Sequence, residues 1–448
     1  MVELVPDHYN PRILLEKMLL KPDEAMKDEA LWLCAWCYEC TKHCPQKLKV
    51  PEIFLSLRKI AKDRGDLEGL EKAMETIRGE IAFPTSFCMV CLHPERIDAD
   101  LKPPSGSSVG RRKKARSPDE TSAENKIAII GAGPAGLTAA AELAKKGYCV
   151  TIFESSSSPG GMLKQCIPEH RLPKAVLDAE IDQIKHLGIN IVTDTGLGKN
   201  FSLDSLWQDG YKAIFVSTGA HKSRRLGVEG EDLENVVQAL DFLRDVNTGK
   251  IRHVGEKVAV IGGGNVAIDA SRTALRLGAK EAHILYRRSR DEMPANPFEV
   301  KEAEEDGVKI QFLVAPKKIV GKDGKVSGLE SIKMTLGEHD ETGRRAPKPV
   351  EGSEFTLPFD MIILAIGESP STESLPKEIE LGEGKVIIVD PFTMETSVPG
   401  VFAGGDCVSG PATVIQAIVD GKRAAKYIEQ FLEKSISELA VTQARKQV

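Results

Sequence analysis

The sequence predicts an α/β protein in which two Rossmann-like dinucleotide-binding units follow an α-helical segment. Three observations predict it. The glycine pattern Gly131-x-Gly133-x-x-Gly136 follows the apolar run KIAII and opens an alanine-rich helical stretch. A second pattern, Gly262-x-Gly264-x-x-Ala267, follows KVAVI in the same way. Residues 1 to about 97 carry apolar side chains at three- and four-residue spacing instead.

A chain of 448 residues has room for roughly two to four domains with buried cores. Its net charge of −6 and its ordinary charged and apolar fractions argue against a nucleic-acid-binding surface or an acidic tail. The opening MVELVPDHYNPR has no basic leader, and no apolar run reaches about 18 residues, so a cytoplasmic protein with no membrane span is expected. Six of the nine cysteines fall between Cys34 and Cys91, a clustering that suggests metal ligation over disulfides.

Residues 1–97 read as helices over PRILLEKMLL, EIFLSLRKIA and LEGLEKAMETIRGEIA. Between the first two lies Cys34-x-x-Cys37-x-x-Cys40-x-x-x-Cys44-Pro45, a spacing at which three thiolates wrap one face of a cubane iron–sulfur cluster and the fourth reaches a second. Tetrahedral zinc is the main rival. Cys88-x-x-Cys91 brings the local total to six, whereas two cubanes need about eight thiolates. Either one [4Fe-4S] cluster takes Cys34, Cys37, Cys40 and a remote cysteine, or a second forms with help from His93, His43 or Glu39. Residues 98–124 are rich in Pro, Ser, Gly and charge and read as a linker, with Arg111, Arg112, Lys113, Lys114 and Arg116 as solvated cations.

The first dinucleotide unit occupies 125–239. Gly131 allows the turn, Gly133 lets a pyrophosphate approach the backbone, and Gly136 lets the helix opened by Pro134 and Ala135 pack against its strand. The next strand, CVTIFE, ends on Glu154, where a carboxylate would hold a ribose 2′-hydroxyl and repel a 2′-phosphate; FAD or NAD suits it. Small residues in Pro159-Gly160-Gly161-Met162-Leu163 would let a ring or pyrophosphate come near, and Arg171 and Lys174 are cationic neighbours. The apolar run from Tyr211 ends in Thr218-Gly219, where the chain can cross to a second domain.

In the second unit, 240–368, the strand AHILYRRSR ends on Arg287 and Arg288 where the first unit has Glu154. A guanidinium fork suits a 2′-phosphate, so NADP(H) is expected, with NAD(H) as the alternative. FDMIILAIGESP supplies a strand ending near Gly367. Residues 369–448 return to the first unit: Gly405 and Asp406 follow the strand GVFAG, a helix begins near Thr413, and residues from about 435 read as a fraying tail. Asp406 would accept from a ribityl hydroxyl, and that helix N-terminus would stabilise negative charge on a reduced flavin.

These motifs carry a resemblance. GAGPAGL, GGML…IPEHRLPK, STGA, GGGNVAID, YRRSRDEMPA, LAIGESP and VFAGGDCVSGPATVIQAIVDGKRAA, in this order over 125 to about 432, resemble the flavoproteins of the glutamate synthase small subunit, the N-terminal part of dihydropyrimidine dehydrogenase and the large subunit of the ferredoxin-dependent transhydrogenase. The resemblance implies an FAD domain with an inserted NADP domain. It implies FAD on Gly131, Gly133, Gly136, Glu154, Gly161, Arg171, Thr218 and Asp406, and NADP(H) on Gly262, Gly264, Asn265, Val266, Arg287 and Arg288. The first 97 residues instead resemble the second half of the iron–sulfur subunit of heterodisulfide reductase, without its first cysteine motif, while FPTSFCMVC is similar to a cysteine segment of the glutamate synthase small subunit. Cys166 and His170 depart from the flavoprotein pattern.

The function expected is an FAD-dependent NAD(P)H:acceptor oxidoreductase passing electrons between NADP(H), FAD and [4Fe-4S] clusters to or from a partner redox subunit or ferredoxin. No side chain is expected to act as a catalytic acid or base. A glutamate synthase small subunit proper, and a flavin and iron–sulfur redox sensor or scaffold, are the alternatives. A disulfide reductase would need a Cys-x-x-Cys beside a nucleotide domain, where Cys149, Cys166 and Cys407 stand apart.

Overall fold

The computed structural model describes residues 1–37, 39–46, 48–92, 126–341 and 343–446. The predicted linker 98–124, with its cations and the neighbouring His93, lies outside the described residues, as does the Glu39 side chain. The chain divides into two units: Met1–Lys164, His170–Ala220 and Pro370–Val448 form one, and Gln165–Glu169 with His221–Ser369 the other.

The first unit is built on a five-stranded sheet in the order Val401–Ala403, Ala213–Val216, Lys126–Ile130, Cys149–Phe153, Asn190–Val192. Every neighbouring pair is parallel. The central strand is apolar on both faces because both are covered: Ile127 to Ile130 are at most 3% exposed, and Ala213 to Val216 are fully buried. The helix Pro134–Lys145 packs beside the long helix Val414–Lys446. Gly421 permits the approach, since a Cβ there would stand 2.4 Å from the Ala135 carbonyl oxygen. That helix runs past the expected fraying point near 435 to Lys446; no Gly or Pro interrupts 422–446.

The N-terminal helices belong to this unit. Pro11–Leu20 starts where the Asn10 side chain accepts from the Arg12 and Ile13 amides, and Val50–Asp63 and Glu68–Glu80 follow. The short helix Pro84–Phe87 has no side-chain cap of its own. Glu180, on the helix Lys174–Lys185, supplies one from outside: its carboxylate accepts from the Thr85 and Ser86 amides at 2.6 and 3.0 Å and from Ser86 Oγ at 2.5 Å.

The second unit carries a parallel sheet ordered Val236–Gln238, Met361–Ala365, Lys257–Gly262, Glu281–Tyr286, Lys309–Phe312. Its edge strand Val236–Gln238 lies before residue 240, and the unit already begins at His221, because this strand pairs with Met361–Ala365. A four-stranded antiparallel sheet, Val314–Lys322, Lys325–His339, Arg345–Pro349 and Phe355–Leu357, fills a stretch that the sequence reading leaves unassigned.

Candidate functional site

The first glycine turn is shaped to leave backbone exposed to a ligand. Gly131 has φ +105°, and a Cβ there would stand 2.5 Å from the Ser217 carbonyl oxygen. At Gly136 a Cβ would lie 2.0 Å from the Gly131 carbonyl oxygen, so only glycine lets helix and strand come this close. Ser217 Oγ fastens the turn by donating to the Ile130 and Gly131 carbonyls. Gly133 caps the helix opened by Pro134 and Ala135 without a side-chain hydrogen bond, which leaves its first amides for an external anion. Gly161, at φ +53°, faces Gly133, where a Cβ would meet Gly133 Cα at 2.8 Å. Met162 and Leu163 open the next short helix, with Leu163 buried and Met162 half-buried.

Around this turn the polar side chains fall into two groups. Glu154 is 5% exposed, and its carboxylate accepts from the Ala132 and Ser156 amides, both at 2.8 Å, which fixes it against the glycine turn. The Thr218 hydroxyl oxygen is buried and has no partner among the described residues, a donor position that a bound group would satisfy. Gly219 follows at φ +70°. Asp406, next to Gly405 (φ +76°), accepts from the Ala412 amide at 3.3 Å. Burial pushes the Asp406 carboxyl up to about 6, opposed by the Ala412 amide and reinforced by Asp420. Asp420, which sequence reasoning missed, accepts from the Gly405 amide and the Gln416 side chain, both at 2.8 Å. Thr413 Oγ1 accepts from the Gln416 amide at 3.2 Å and caps the long helix. Arg171 is half-buried, and its charge acts on Cys91.

The second glycine turn repeats the scheme. Gly262 has φ +150°, and a Cβ there would lie 2.1 Å from the Ala365 carbonyl oxygen. Gly264 caps Asn265–Arg276 without a side-chain bond, and a Cβ there would meet open space. Val266 is half-buried in the first turn, and Asn265 Oδ1 accepts from the Asn296 amide at 2.8 Å. Gly367, at φ +107°, lies just past the end of the neighbouring strand Met361–Ala365.

The two arginines part company. Arg287 is exposed, whereas Arg288 is 4% exposed, donates to the Arg345 carbonyl at 2.8 Å and pairs with Asp340 at 2.5 Å. Partial desolvation, then the charges of Arg288 and Arg344, hold the Arg287 guanidinium below its usual range. Arg344 is thus a second cation near the outward one. It sits in a hairpin connection that sequence reading left unassigned.

In the N-terminal helices all six cysteines are free thiols. Cys34, Cys88 and Cys91 are buried, and Cys37, Cys40 and Cys44 half-buried. Among the described residues no three His, Cys, Asp or Glu side chains converge on a single metal ion. The thiols nevertheless feel one another. Burial, then Cys34 and Cys37, pushes the Cys40 thiol up to about 11. Burial raises Cys88 to about 12, and it raises Cys91 with Cys88 and Cys37 adding and Arg171 opposing. Burial also raises Cys34, against the pull of Arg58, the Trp36 amide and a hydrogen bond from Tyr9.

The other cysteines are held apart: the Cys166 thiol donates to the Leu240 carbonyl, and Cys407, fully buried, donates to Val216 and Gly404 carbonyls at 3.4 and 3.3 Å.

Two glycine turns, each opening a helix on a parallel sheet, are the geometry of a dinucleotide-binding protein, and comparison with known proteins decides the family. Residues 125–421 match the family model described as pyridine nucleotide-disulphide oxidoreductase. The chain belongs to that family. It is an FAD-dependent NAD(P)H oxidoreductase. Within it, the chain groups with glutamate synthase small chain-like proteins: it is 39% identical over 326 residues to the glutamate synthase [NADPH] small chain of Escherichia coli, covering 69% of each chain. It is also 49% identical over 319 residues to the NADP(+)-dependent formate dehydrogenase subunit beta of Moorella thermoacetica, covering 70% of this chain and 45% of that one. With the NADPH-Fe(3+) oxidoreductase subunit beta of Geobacter sulfurreducens the match extends over 436 residues at 36%, covering 88% of this chain and 64% of that one. The chain thus spans about half to two-thirds of these last two relatives. Its fold is that of Mycobacterium tuberculosis FprA in complex with NADPH, at a TM-score of 0.60 and 19% identity over 70% of this chain and 86% of that one. Among the described residues no helix is long and apolar enough to cross a membrane.

Proposed function

We propose that the chain is an electron-transfer subunit in which FAD connects NADP(H) to a [4Fe-4S] cluster and, through it, to a partner redox subunit or ferredoxin. The observation that carries this reading is the company the cysteines keep. Cys34, Cys37, Cys40, Cys88 and Cys91 lie in the same compact unit as the first glycine turn, and Arg171 acts on Cys91. Flavin supplies the conversion between the two-electron nicotinamide and a one-electron acceptor.

The residues fit these groups. Thr218 offers a hydroxyl with no partner among the described residues, the uncapped amides after Gly133 suit a pyrophosphate, and the Asp406 carboxylate can accept from a ribityl hydroxyl. Arg287, with Arg344 near it, suits a 2′-phosphate. A cubane spreads its thiolates over separate corners, so Cys34, Cys37 and Cys40, with Cys91 as the remote ligand, suit it better than a single tetrahedral ion. Cys44 and Cys88 are left over, too few for a second cubane without help from His93, His43 or Glu39. Both relatives matched at 49% and 36% are named as beta subunits, which supports a multi-subunit setting.

The test is anaerobic: iron, sulfide and flavin content, then stopped-flow absorbance with NADPH and NADH. Fast flavin bleaching by NADPH with about four irons per flavin supports one cluster. About eight irons call for two, and bleaching without iron leaves a simple flavoprotein and overturns the cluster.

A further inference from the structure

We propose that Arg58 is the counter-cation of the cysteine loop, a positioning residue that raises the reduction potential of its cluster; this rests on the cluster reading above. Arg58 stands on the helix Val50–Asp63 and is 0% exposed. Its guanidinium reaches under the loop: Nε donates to the Leu31 carbonyl at 2.9 Å, and Nη2 donates to the Trp32 and Cys34 carbonyls at 3.0 and 2.6 Å. It lies over the Trp32 and Trp36 rings, 5.7 and 5.3 Å from their centroids. Nη1 is buried with no partner among the described residues, and so is the Trp32 ring nitrogen.

A buried guanidinium is costly to desolvate and is ordinarily paired with a carboxylate. Among the described residues the ionisable groups acting on Arg58 are Cys34 and Tyr9. With neutral thiols no opposite formal charge among the described residues pairs with it. Thiolates around iron are anionic, and N–H groups pointed toward cluster sulfur are among the means by which a protein sets a cluster's potential. One electron entering from reduced flavin or dithionite adds one negative charge to the cluster. A fixed positive charge held out of water, as Arg58 is, stabilises that reduced form more than the oxidised one. The potential rises accordingly.

The experiment compares full-length wild type, R58Q and R58K, purified anaerobically, by iron, sulfide and flavin content and by dithionite titration followed by electron paramagnetic resonance. R58Q is expected to hold its cluster at a lower midpoint potential, with the flavin potential unmoved and R58K close to wild type. A loaded R58Q with the wild-type cluster potential overturns the proposal. Should R58Q fail to load, R58K decides: wild-type iron content in R58K supports the charge, whereas equal iron loss in both makes Arg58 a tether of the loop carbonyls and overturns it. Wild type without iron and sulfide removes the cluster itself, a failure separate from these.

Discussion

At the scale of single residues, adjacent arginines carry different expectations. Arg287 is outward, so Arg287→Ala removes one charge-assisted contact to a 2′-phosphate, about 1.5–3 kcal/mol or roughly 10- to 100-fold in NADPH affinity. NADH affinity should stay near wild type. Arg288→Ala instead removes the pair with Asp340 and the hydrogen bond to the Arg345 carbonyl and should lower stability by about 1–3 kcal/mol, with no preference between the nucleotides. Isothermal titration with both nucleotides, beside thermal melts, separates the two; equal NADPH and NADH losses in Arg287→Ala would sink the 2′-phosphate assignment. Asp406 gives a pH prediction for the flavin-free protein. Its folded value, about 6, lies above the unfolded carboxylate value, so the folded state holds the proton more tightly. The cost of the buried carboxylate is absent below about pH 4 and grows as pH rises through 6, toward roughly 3 kcal/mol. Melting of the flavin-free protein should therefore fall over that window, and Asp406→Asn should flatten the profile.

At the scale of elements, Glu180 ties the helix Lys174–Lys185 to the turn that leads into Cys88 and Cys91. Glu180→Ala leaves two amides and a hydroxyl without their acceptor, about 1–3 kcal/mol each where buried. The local outcome is faster hydrogen exchange over 84–92 and faster alkylation of Cys88 and Cys91, with the 126–153 strands unchanged; equal exchange across both segments would deny the cap its role. Such a cap is illegible in sequence, because Glu180 reads as one more polar residue on an amphipathic helix and its partners lie about 95 residues away. The same limit applies to Arg288, whose fate depends on Asp340 in the connection between Lys325–His339 and Arg345–Pro349, a stretch the sequence reading leaves out. That sheet does carry a local signal: Asp323 and Gly324, at φ +54° and +80°, make the Asp-Gly turn of a hairpin between Val314–Lys322 and Lys325–His339. The two glycine turns are legible because each strand, turn and helix is contiguous and only glycine fits where a Cβ would strike a carbonyl.

At the scale of the whole molecule, the first unit depends on chain from both sides of the second. Val401–Ala403 completes its sheet and the long helix Val414–Lys446 lies on Pro134–Lys145. The cysteine loop also belongs to this unit, while the second glycine turn and its arginines belong to the other. Loss of the cluster should therefore leave nicotinamide binding untouched. Cys37→Ser removes one of the three closely spaced thiols, and serine is a poor substitute because cluster iron favours the soft thiolate. The expected result is loss of iron–sulfur absorbance, retained flavin, and NADPH bleaching of the flavin within about twofold of wild type, since that step asks only for positioning of two nucleotides. One-electron delivery to an external acceptor that cannot reach the flavin should fall away. If flavin bleaching by NADPH stopped as well, the cluster would lie upstream of the flavin or hold the unit together. Flavin content then distinguishes the two: intact flavin places the cluster upstream, and lost flavin makes it structural.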